Sequence, residues 1–187
     1  MKTYLITATA LLALLGSQAN AADFSGPYVG AGYGLTQAFE DDGIAGNTDT
    51  SGTSYGVYGG YYFNRIVGIE AGYNDYGTVT SHGAELFAPT SWSLAANLGY
   101  SFDNGLRPFA LVGLSYVDLN SSNAAVIDDS GAGVHLGFGV EYQPVEHFTL
   151  RLISQADAIS VDKVNLTGSN EYTVGFSSLQ LGVAYAF

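Results

Sequence analysis

The strongest constraint on this chain is a period of two in its apolar residues. Between Ser91 and Phe102 every second residue is apolar, and the residues between them are small or polar. The apolar set of this segment is Trp92, Leu94, Ala96, Leu98, Tyr100 and Phe102. Residues 132–143 and 178–187 repeat the pattern. Such alternation predicts β-strands that each have one apolar and one polar face.

Five further segments alternate less regularly, at residues 28–37, 54–63, 66–76, 106–119 and 148–157. The segment 106–119 carries apolar residues on both faces. We place Ala110, Val112, Leu114 and Tyr116 outward, because Gly113 then points inward like most other strand glycines. The total is about eight strands of about ten residues, a length that crosses a bilayer when the strand is tilted.

The connections between these strands differ in length in a regular way. Three are tight turns, at residues 64–65, 103–105 and 144–147, and Asn104-Gly105 is a hairpin signal. Four are long and polar, at residues 38–53, 77–90, 120–130 and 158–170. The sequence therefore predicts an all-β fold, an eight-stranded antiparallel transmembrane up-and-down barrel with short periplasmic turns and long extracellular loops.

The polarity of the two strand faces indicates which one meets lipid. No Lys, Arg, Asp or Glu lies in the middle of the apolar faces, where a charge costs about 2–4 kcal/mol at the bilayer midplane. The residues on the opposite faces are too small and too polar to form the core of a soluble protein. A soluble barrel of lipocalin type has the reverse arrangement and is disfavoured. Tyr and Phe residues near the strand ends predict aromatic girdles.

The first residues are typical of a secretory signal peptide. Met1-Lys2 gives a positive start, residues 5–15 are apolar, and Ala19-Asn20-Ala21 has the small-x-small pattern of a cleavage site. The apolar run is shorter than the roughly 20 residues of a spanning helix. We predict a signal peptide over residues 1–21, a barrel domain over 22–187, and location in the cell outer membrane.

Composition excludes several kinds of chemistry. Five Lys+Arg against seventeen Asp+Glu leave no basic stripe for nucleic acid. The chain has no Cys, and its three histidines, His82, His135 and His147, share no metal-ligand spacing. We expect no cofactor and no metal. None of these histidines has a Ser placed as a nucleophile on its own strand face, so we predict that the chain is not an enzyme, with a lipid A-modifying enzyme as a remote alternative.

The last residues carry a further pattern, polar-x-Gly-x-x-aromatic-x-aromatic, formed by Gln180, Gly182, Tyr185 and Phe187. It resembles the signal read by the bacterial barrel-assembly machinery. Residues 57–73 and 139–152 resemble the transmembrane domain of the OmpA-like family of small outer-membrane proteins. The peptidoglycan-binding domain of full-length members is expected to be absent, so the architecture is closer to the small opacity-type and virulence-associated barrels.

Charged residues also occur on the inward faces. Glu141 and Arg151 lie five residues on either side of Glu146, in the third tight turn, so they share a face and a height, and Glu70 lies at a similar height. Opposite charges in a narrow lumen should pair, because an unpaired buried charge is costly. The resemblance implies an acidic-basic cluster here, with a partner-exchanging lysine at the position of Asn97. We expect Arg151 to be the only cation facing the two carboxylates, in a cluster that plugs the interior.

The long loops are predicted to form an acidic rim, from Glu40, Asp41, Asp42, Asp49, Asp128, Asp129 and Asp162. We expect as partners outer-membrane lipids and lipopolysaccharide, the barrel-assembly machinery, and a host or surface ligand held by the loops, but no nucleic acid. The predicted role is structural and surface-interacting, in envelope integrity, adhesion or host contact. The alternative is a narrow ion channel or small-solute pore lined by Glu70, Glu141 and Arg151.

Overall fold

The computed structural model describes residues 25–40, 52–81, 84–120, 130–165 and 168–187. The predicted signal peptide, His82 and the acidic residues Asp41, Asp42, Asp49, Asp128 and Asp129 lie outside these ranges. Within them, no helix is long and apolar enough to cross a membrane.

The described residues form ten strands, eight of which close into one barrel. The strands are β1 (Gly26–Glu40), β2 (Gly52–Tyr62), β3 (Val67–Asp75), β4 (Val79–Ser81), β5 (Ala84–Phe87), β6 (Thr90–Gly99), β7 (Leu106–Asp118), β8 (Ser130–Val145), β9 (Phe148–Asn165) and β10 (Gly168–Ala186). Neighbouring barrel strands are antiparallel, and β1 pairs with β10 to close the cylinder. The small hairpin of β4 and β5 lies within the second long connection. The predicted eight-stranded all-β fold is confirmed.

The three tight turns lie at one rim of the barrel, as predicted. In the first, the Asn64 side-chain oxygen accepts hydrogen bonds from the backbone N–H groups of Ile66 and Val67, at 2.8 and 2.9 Å. In the second, Gly105 has a φ of 80°, a left-handed conformation that glycine adopts without steric cost. The barrel ends meet at the same rim, where the Phe187 N–H donates to the Pro27 carbonyl at 3.0 Å.

The fourth long connection differs from its prediction. Residues 158–170 were expected to form a loop, but β9 continues to Asn165 and β10 starts at Gly168, directly opposite. The pairing of β9 with β8 ends earlier, at Ile159 and Gly133, so the hairpin continues past it. Two physical factors favour a strand here. Pairing between β9 and β10 satisfies the hydrogen-bonding groups of the backbone, and this stretch contains β-branched residues, which favour strands.

The side chains are distributed as in an inverted globule. Leu114, Phe138 and Leu181 are 68–71% exposed on the outer surface, whereas Glu141 and Arg151 are at most 2% exposed inside. This confirms that the outer face is apolar. The interior is less uniformly polar than predicted, since apolar clusters alternate with polar ones. An eight-stranded barrel is narrow enough for side chains to fill, so apolar groups occupy the bore where polar groups have no partners.

Aromatic side chains line the outside of the rim that carries the turns. Tyr61 packs on Phe63, Tyr100 on Phe102 and Tyr185 on Phe187, with ring centroids 5.0–5.4 Å apart. Amphipathic rings of this kind lie at the depth of the lipid headgroups. The predicted girdle is therefore present at this rim.

Candidate functional site

The centre of the candidate site is Glu141, which lies on the inner face of β8. It stands directly opposite Arg107 on β7 and Arg151 on β9. Arg107 Nη1 lies 3.1 Å from one carboxylate oxygen, and Arg151 Nε lies 3.1 Å from the other. Three adjacent strands thus place a cation, an anion and a cation side by side.

Arg151 also extends across the bore to Glu70 on β3. Two guanidinium nitrogens donate to the two carboxylate oxygens, at 3.0 and 2.6 Å. Asn97 completes the circuit, because its amide donates to Glu70 at 3.1 Å and accepts from Arg107 at 2.8 Å. We call these five residues, Glu70, Asn97, Arg107, Glu141 and Arg151, the lumen ring. The structure therefore brings together all four residues that the sequence analysis placed here.

The expectation that Arg151 is the only cation facing the carboxylates is wrong. Arg107 is 0% exposed and contacts both Asn97 and Glu141. The strand phase that turned Gly113 inward also turns Arg107 inward, so the signal was present in the sequence. Two guanidinium groups now balance two carboxylates, and the lumen ring has no formal net charge.

Aromatic side chains surround the lumen ring. The Tyr28 hydroxyl donates to Glu70 at 2.6 Å, and the Tyr62 hydroxyl donates to the Glu141 carboxylate at 3.0 Å. Their rings stack with centroids 4.2 Å apart. The Arg151 guanidinium lies 4.1 Å from the centre of the Tyr58 ring, a cation–π contact that keeps the charge stabilised out of water.

Glycines of β1 and β2 make room for these rings. A Cβ atom at Gly30 would lie 2.5 Å from a ring carbon of Tyr58, and one at Gly60 would lie 2.6 Å from the Tyr28 hydroxyl. Gly30 and Gly60 therefore serve the packing of the two tyrosine rings.

A second polar cluster lies nearer the extracellular end, around Asp157 on β9. His135 Nδ1 lies 2.8 Å from one carboxylate oxygen, the Ser91 hydroxyl donates to the other at 2.7 Å, and the Tyr76 hydroxyl donates to that same oxygen. All four side chains are buried. The alternation over residues 132–143 turns His135 inward, but nothing in the sequence indicated its partner Asp157, which is the last residue of another predicted strand.

An amide layer separates the two clusters. Gln155 donates to the side-chain oxygen of Asn74 at 2.6 Å, and Gln180 donates to Ser54 at 3.3 Å and to Ser178 at 3.2 Å. A cavity of about 10 Å³ lies beside this layer, lined by Ser93, His135, Gln155 and Arg151 among others. That volume holds about one water molecule.

The C-terminal residues singled out by the sequence are divided between inside and outside. Gln180 is 3% exposed in the lumen, whereas Tyr185 and Phe187 are 39% and 68% exposed on the outer surface. Gly182 lies on β10 opposite Arg151.

The architecture matches that of known outer-membrane proteins. A model of the family described as outer membrane protein beta-barrel domain matches residues 6–187. The chain belongs to this family. As a small outer membrane β-barrel protein, it resides in the outer membrane and contacts lipid through its apolar outer face.

Individual relatives agree with the family. Outer membrane protein A of Klebsiella aerogenes is 27% identical over 171 residues, which cover 86% of this chain and 48% of the relative. This outer membrane β-barrel protein thus spans about half the length of that relative.

Several solved barrels have a similar fold. Neisserial surface protein A (NspA) superposes with a TM-score of 0.60 and 22% identity, over 87% of this chain and 98% of that one. The N-terminal barrel of Pseudomonas aeruginosa OprF superposes with a TM-score of 0.52 and 19% identity, over 87% of this chain and 98% of that one. Ail, the attachment invasion locus protein of Yersinia pestis, superposes with a TM-score of 0.53 and 16% identity, over 86% of this chain and 99% of that one. That structure is a complex of Ail with the heparin analogue sucrose octasulfate.

Proposed function

We propose that this protein is a non-conducting membrane anchor that holds its extracellular connections at the cell surface, where they bind a surface ligand and support envelope integrity. The observation that carries the proposal is the lumen ring. Its five side chains come from five strands and are each at most 5% exposed.

The geometry of the lumen ring supports a closed bore. The bidentate contact between Arg151 and Glu70 crosses the lumen, and each charged group is also held by a second residue. Breaking one partner out of a buried ion pair costs about 3–5 kcal/mol, because it leaves an uncompensated charge. Because its two cations balance its two anions, the ring also carries no excess charge that would favour ions of one sign.

The second cluster supports a role without catalysis. A serine nucleophile needs a base within hydrogen-bond reach. Here the Ser91 hydroxyl donates to Asp157, and the histidine of the same cluster is directed to that carboxylate as well. Both groups lie inside the barrel, away from a lipid substrate on the outer surface.

The positions of the basic side chains restrict the charge of a ligand that the extracellular loops could bind. Of five Lys and Arg residues, Lys2 lies in the predicted signal peptide, and Arg107 and Arg151 are buried in the lumen ring. Arg65 pairs with Asp103 at the rim of tight turns, at 2.9 Å. Of these five residues only Lys163 lies in the extracellular hairpin formed by β9 and β10. We therefore expect a neutral or cationic ligand, and contact with lipopolysaccharide phosphates through divalent cations that the acidic rim attracts.

Two measurements test the proposal. Purified barrel in a planar bilayer should give no conductance steps, whereas steps that change with Glu141→Gln would favour the narrow pore. Cells that carry the barrel with residues 41–51 shortened should lose attachment to a cationic or neutral surface. A matched control shortens the tight turn at residues 144–147 instead. Unchanged attachment by the loop variant, with the barrel still folded, would contradict the surface role.

A further inference from the structure

We propose that the bore has a second closure at its extracellular mouth, a latch formed by Tyr76 and Asp157 that is coupled to the connection between β3 and β6. This inference rests on the proposed closed lumen and adds a route by which a surface contact reaches the interior. It is separate from the lumen ring in position and in chemistry.

The mouth is sealed by apolar side chains, in contrast to the polar layers beneath it. Tyr76, Val117, Leu119, Ile159 and Phe176 form one cluster and are each at most 3% exposed. They come from β7, β9, β10 and the segments that follow β3 and β7. An apolar constriction in a narrow bore excludes water and therefore ions.

Tyr76 is the member of this seal that has a polar anchor. Its ring packs on Phe176 with centroids 6.0 Å apart, and its hydroxyl donates to Asp157. Asp157 is itself fixed by His135 and Ser91, at 2.8 and 2.7 Å. A hydrogen bond to a charged acceptor is about twice as strong as a neutral one, so this contact holds the ring in the mouth.

The backbone around Tyr76 connects the seal to the protein surface. Its N–H donates to the Pro89 carbonyl at 2.9 Å, and the Ala88 N–H donates to the Leu119 carbonyl at 3.1 Å. Gly77 follows with a φ of 70°, a left-handed conformation that favours glycine. Both ends of the second long connection are thus fixed at the seal. A ligand that displaces this connection would withdraw Tyr76 from Asp157.

Ser93 offers a position at which to measure the latch. It lies two residues below Ser91 on the inner face of β6 and lines the small cavity. Because the chain contains no cysteine, Ser93→Cys introduces a single thiol. The thiol is exposed to silver ions, the barrel is then unfolded, and the remaining free thiol is counted with a maleimide dye.

In the Ser93→Cys background the thiol should react slowly. Adding Tyr76→Phe removes only the hydroxyl and should speed the reaction by about tenfold or more, since the lost bond has a charged acceptor. Tyr55→Phe is the matched control, because the Tyr55 hydroxyl donates to Asp75 at 2.8 Å on the exposed surface, and it should not change the rate. Ser91→Ala, which removes another donor to Asp157, is a second variant that should raise the rate.

The outcomes separate the latch from the closed lumen. Equal slow rates with and without the Tyr76 and Ser91 hydroxyls, in barrels that keep a heat-shifted gel band, would overturn the latch and leave the lumen ring as the closure. A fast reaction in the background protein would show an open mouth and overturn the latch as well. The Tyr76→Phe barrel should still give no conductance, because the lumen ring remains; conductance by the unsubstituted barrel would instead contradict the proposed function.

Discussion

Arg107 and Glu141 stand directly opposite each other on β7 and β8, with 3.1 Å between Nη1 and Oε2 and neither side chain more than 1% exposed. A pair so placed has lost its water and depends on its partners for charge compensation. Glu141 also holds Arg151, and Asn97 holds Arg107, so a change at one member leaves the others with unpaired groups. Coupling of this kind makes the lumen ring a structural element of the barrel as well as a barrier.

Removing the Arg107 charge should destabilise the barrel. Arg107→Met keeps much of the side-chain volume but leaves Glu141 short of one cation, at a cost of about 3–5 kcal/mol. The free energy of unfolding in lipid vesicles can be followed by the fluorescence of Trp92, the only tryptophan. Arg65→Met is the control, because the Arg65–Asp103 pair has side chains that are 53% and 82% exposed, and such pairs contribute at most about 1 kcal/mol. Equal losses in the two variants would contradict the buried pair.

The space left by Gly60 should be essential for the aromatic packing. A Cβ atom there meets the Ile69 carbonyl oxygen and lies 2.6 Å from the Tyr28 hydroxyl, which donates to Glu70. Gly60→Ala should therefore reduce the unfolding free energy by about 1–3 kcal/mol, the usual effect of overpacking. Gly131→Ala provides the comparison, since a Cβ atom at Gly131 would have nothing within 4 Å. A neutral Gly60→Ala barrel would contradict this packing, because both the Ile69 backbone and Tyr28 would have to move aside without cost.

Lipid contact should make the outer face intolerant of charge in a depth-dependent way. Leu136 and Val145 lie on the same strand, β8, and are 51% and 59% exposed, but Leu136 is near the middle of the strand and Val145 is at its rim end. Leu136→Lys should cost about 2–4 kcal/mol and Val145→Lys at most about 1 kcal/mol. Folding into vesicles measures both values. Similar costs at the two positions would contradict the assigned membrane depth.

The fold was largely predictable because the barrel imposes a two-residue period on every strand that crosses the membrane. The outward positions of Leu94 and Leu98 and the inward position of Asn97 follow from that period alone. Contacts across the bore do not, since they join residues such as Glu70 and Arg151, which are 81 positions apart. Only their similar heights above the turns could be read from the sequence.

Two further features could not be predicted from the two-residue period. Tyr76 keeps the inward phase of Glu70 and Asn74, but its hydrogen bond to Asp157, which is 81 positions away, does not follow from that phase. The extension of β9 to Asn165 crosses polar residues, and there the pairing with β10 favours strand. The two-residue period therefore predicts the structure within the membrane but not the contacts and strand ends at the extracellular mouth.

The C-terminal pattern should have separable roles in assembly and in stability. Phe187 is 68% exposed at the rim, and Gln180 is buried with hydrogen bonds to Ser54 and Ser178. If the terminal aromatic residue is read by the assembly machinery, Phe187→Ala should lower the amount of folded barrel in cells while its unfolding free energy in vesicles changes little. Gln180→Ala should lower that free energy by about 1–3 kcal/mol, because it leaves buried partners unsatisfied.

Phe63→Ala is the control for the loss of an exposed aromatic residue at the same rim, since Phe63 is 60% exposed. A smaller girdle weakens headgroup contact equally in the two Phe→Ala variants, so only recognition during assembly distinguishes them. The heat-shifted fraction in outer-membrane extracts measures assembly, and refolding into vesicles measures stability. Equal folded fractions for Phe187→Ala and Phe63→Ala in cells would remove the assembly role and leave Phe187 as an ordinary member of the girdle.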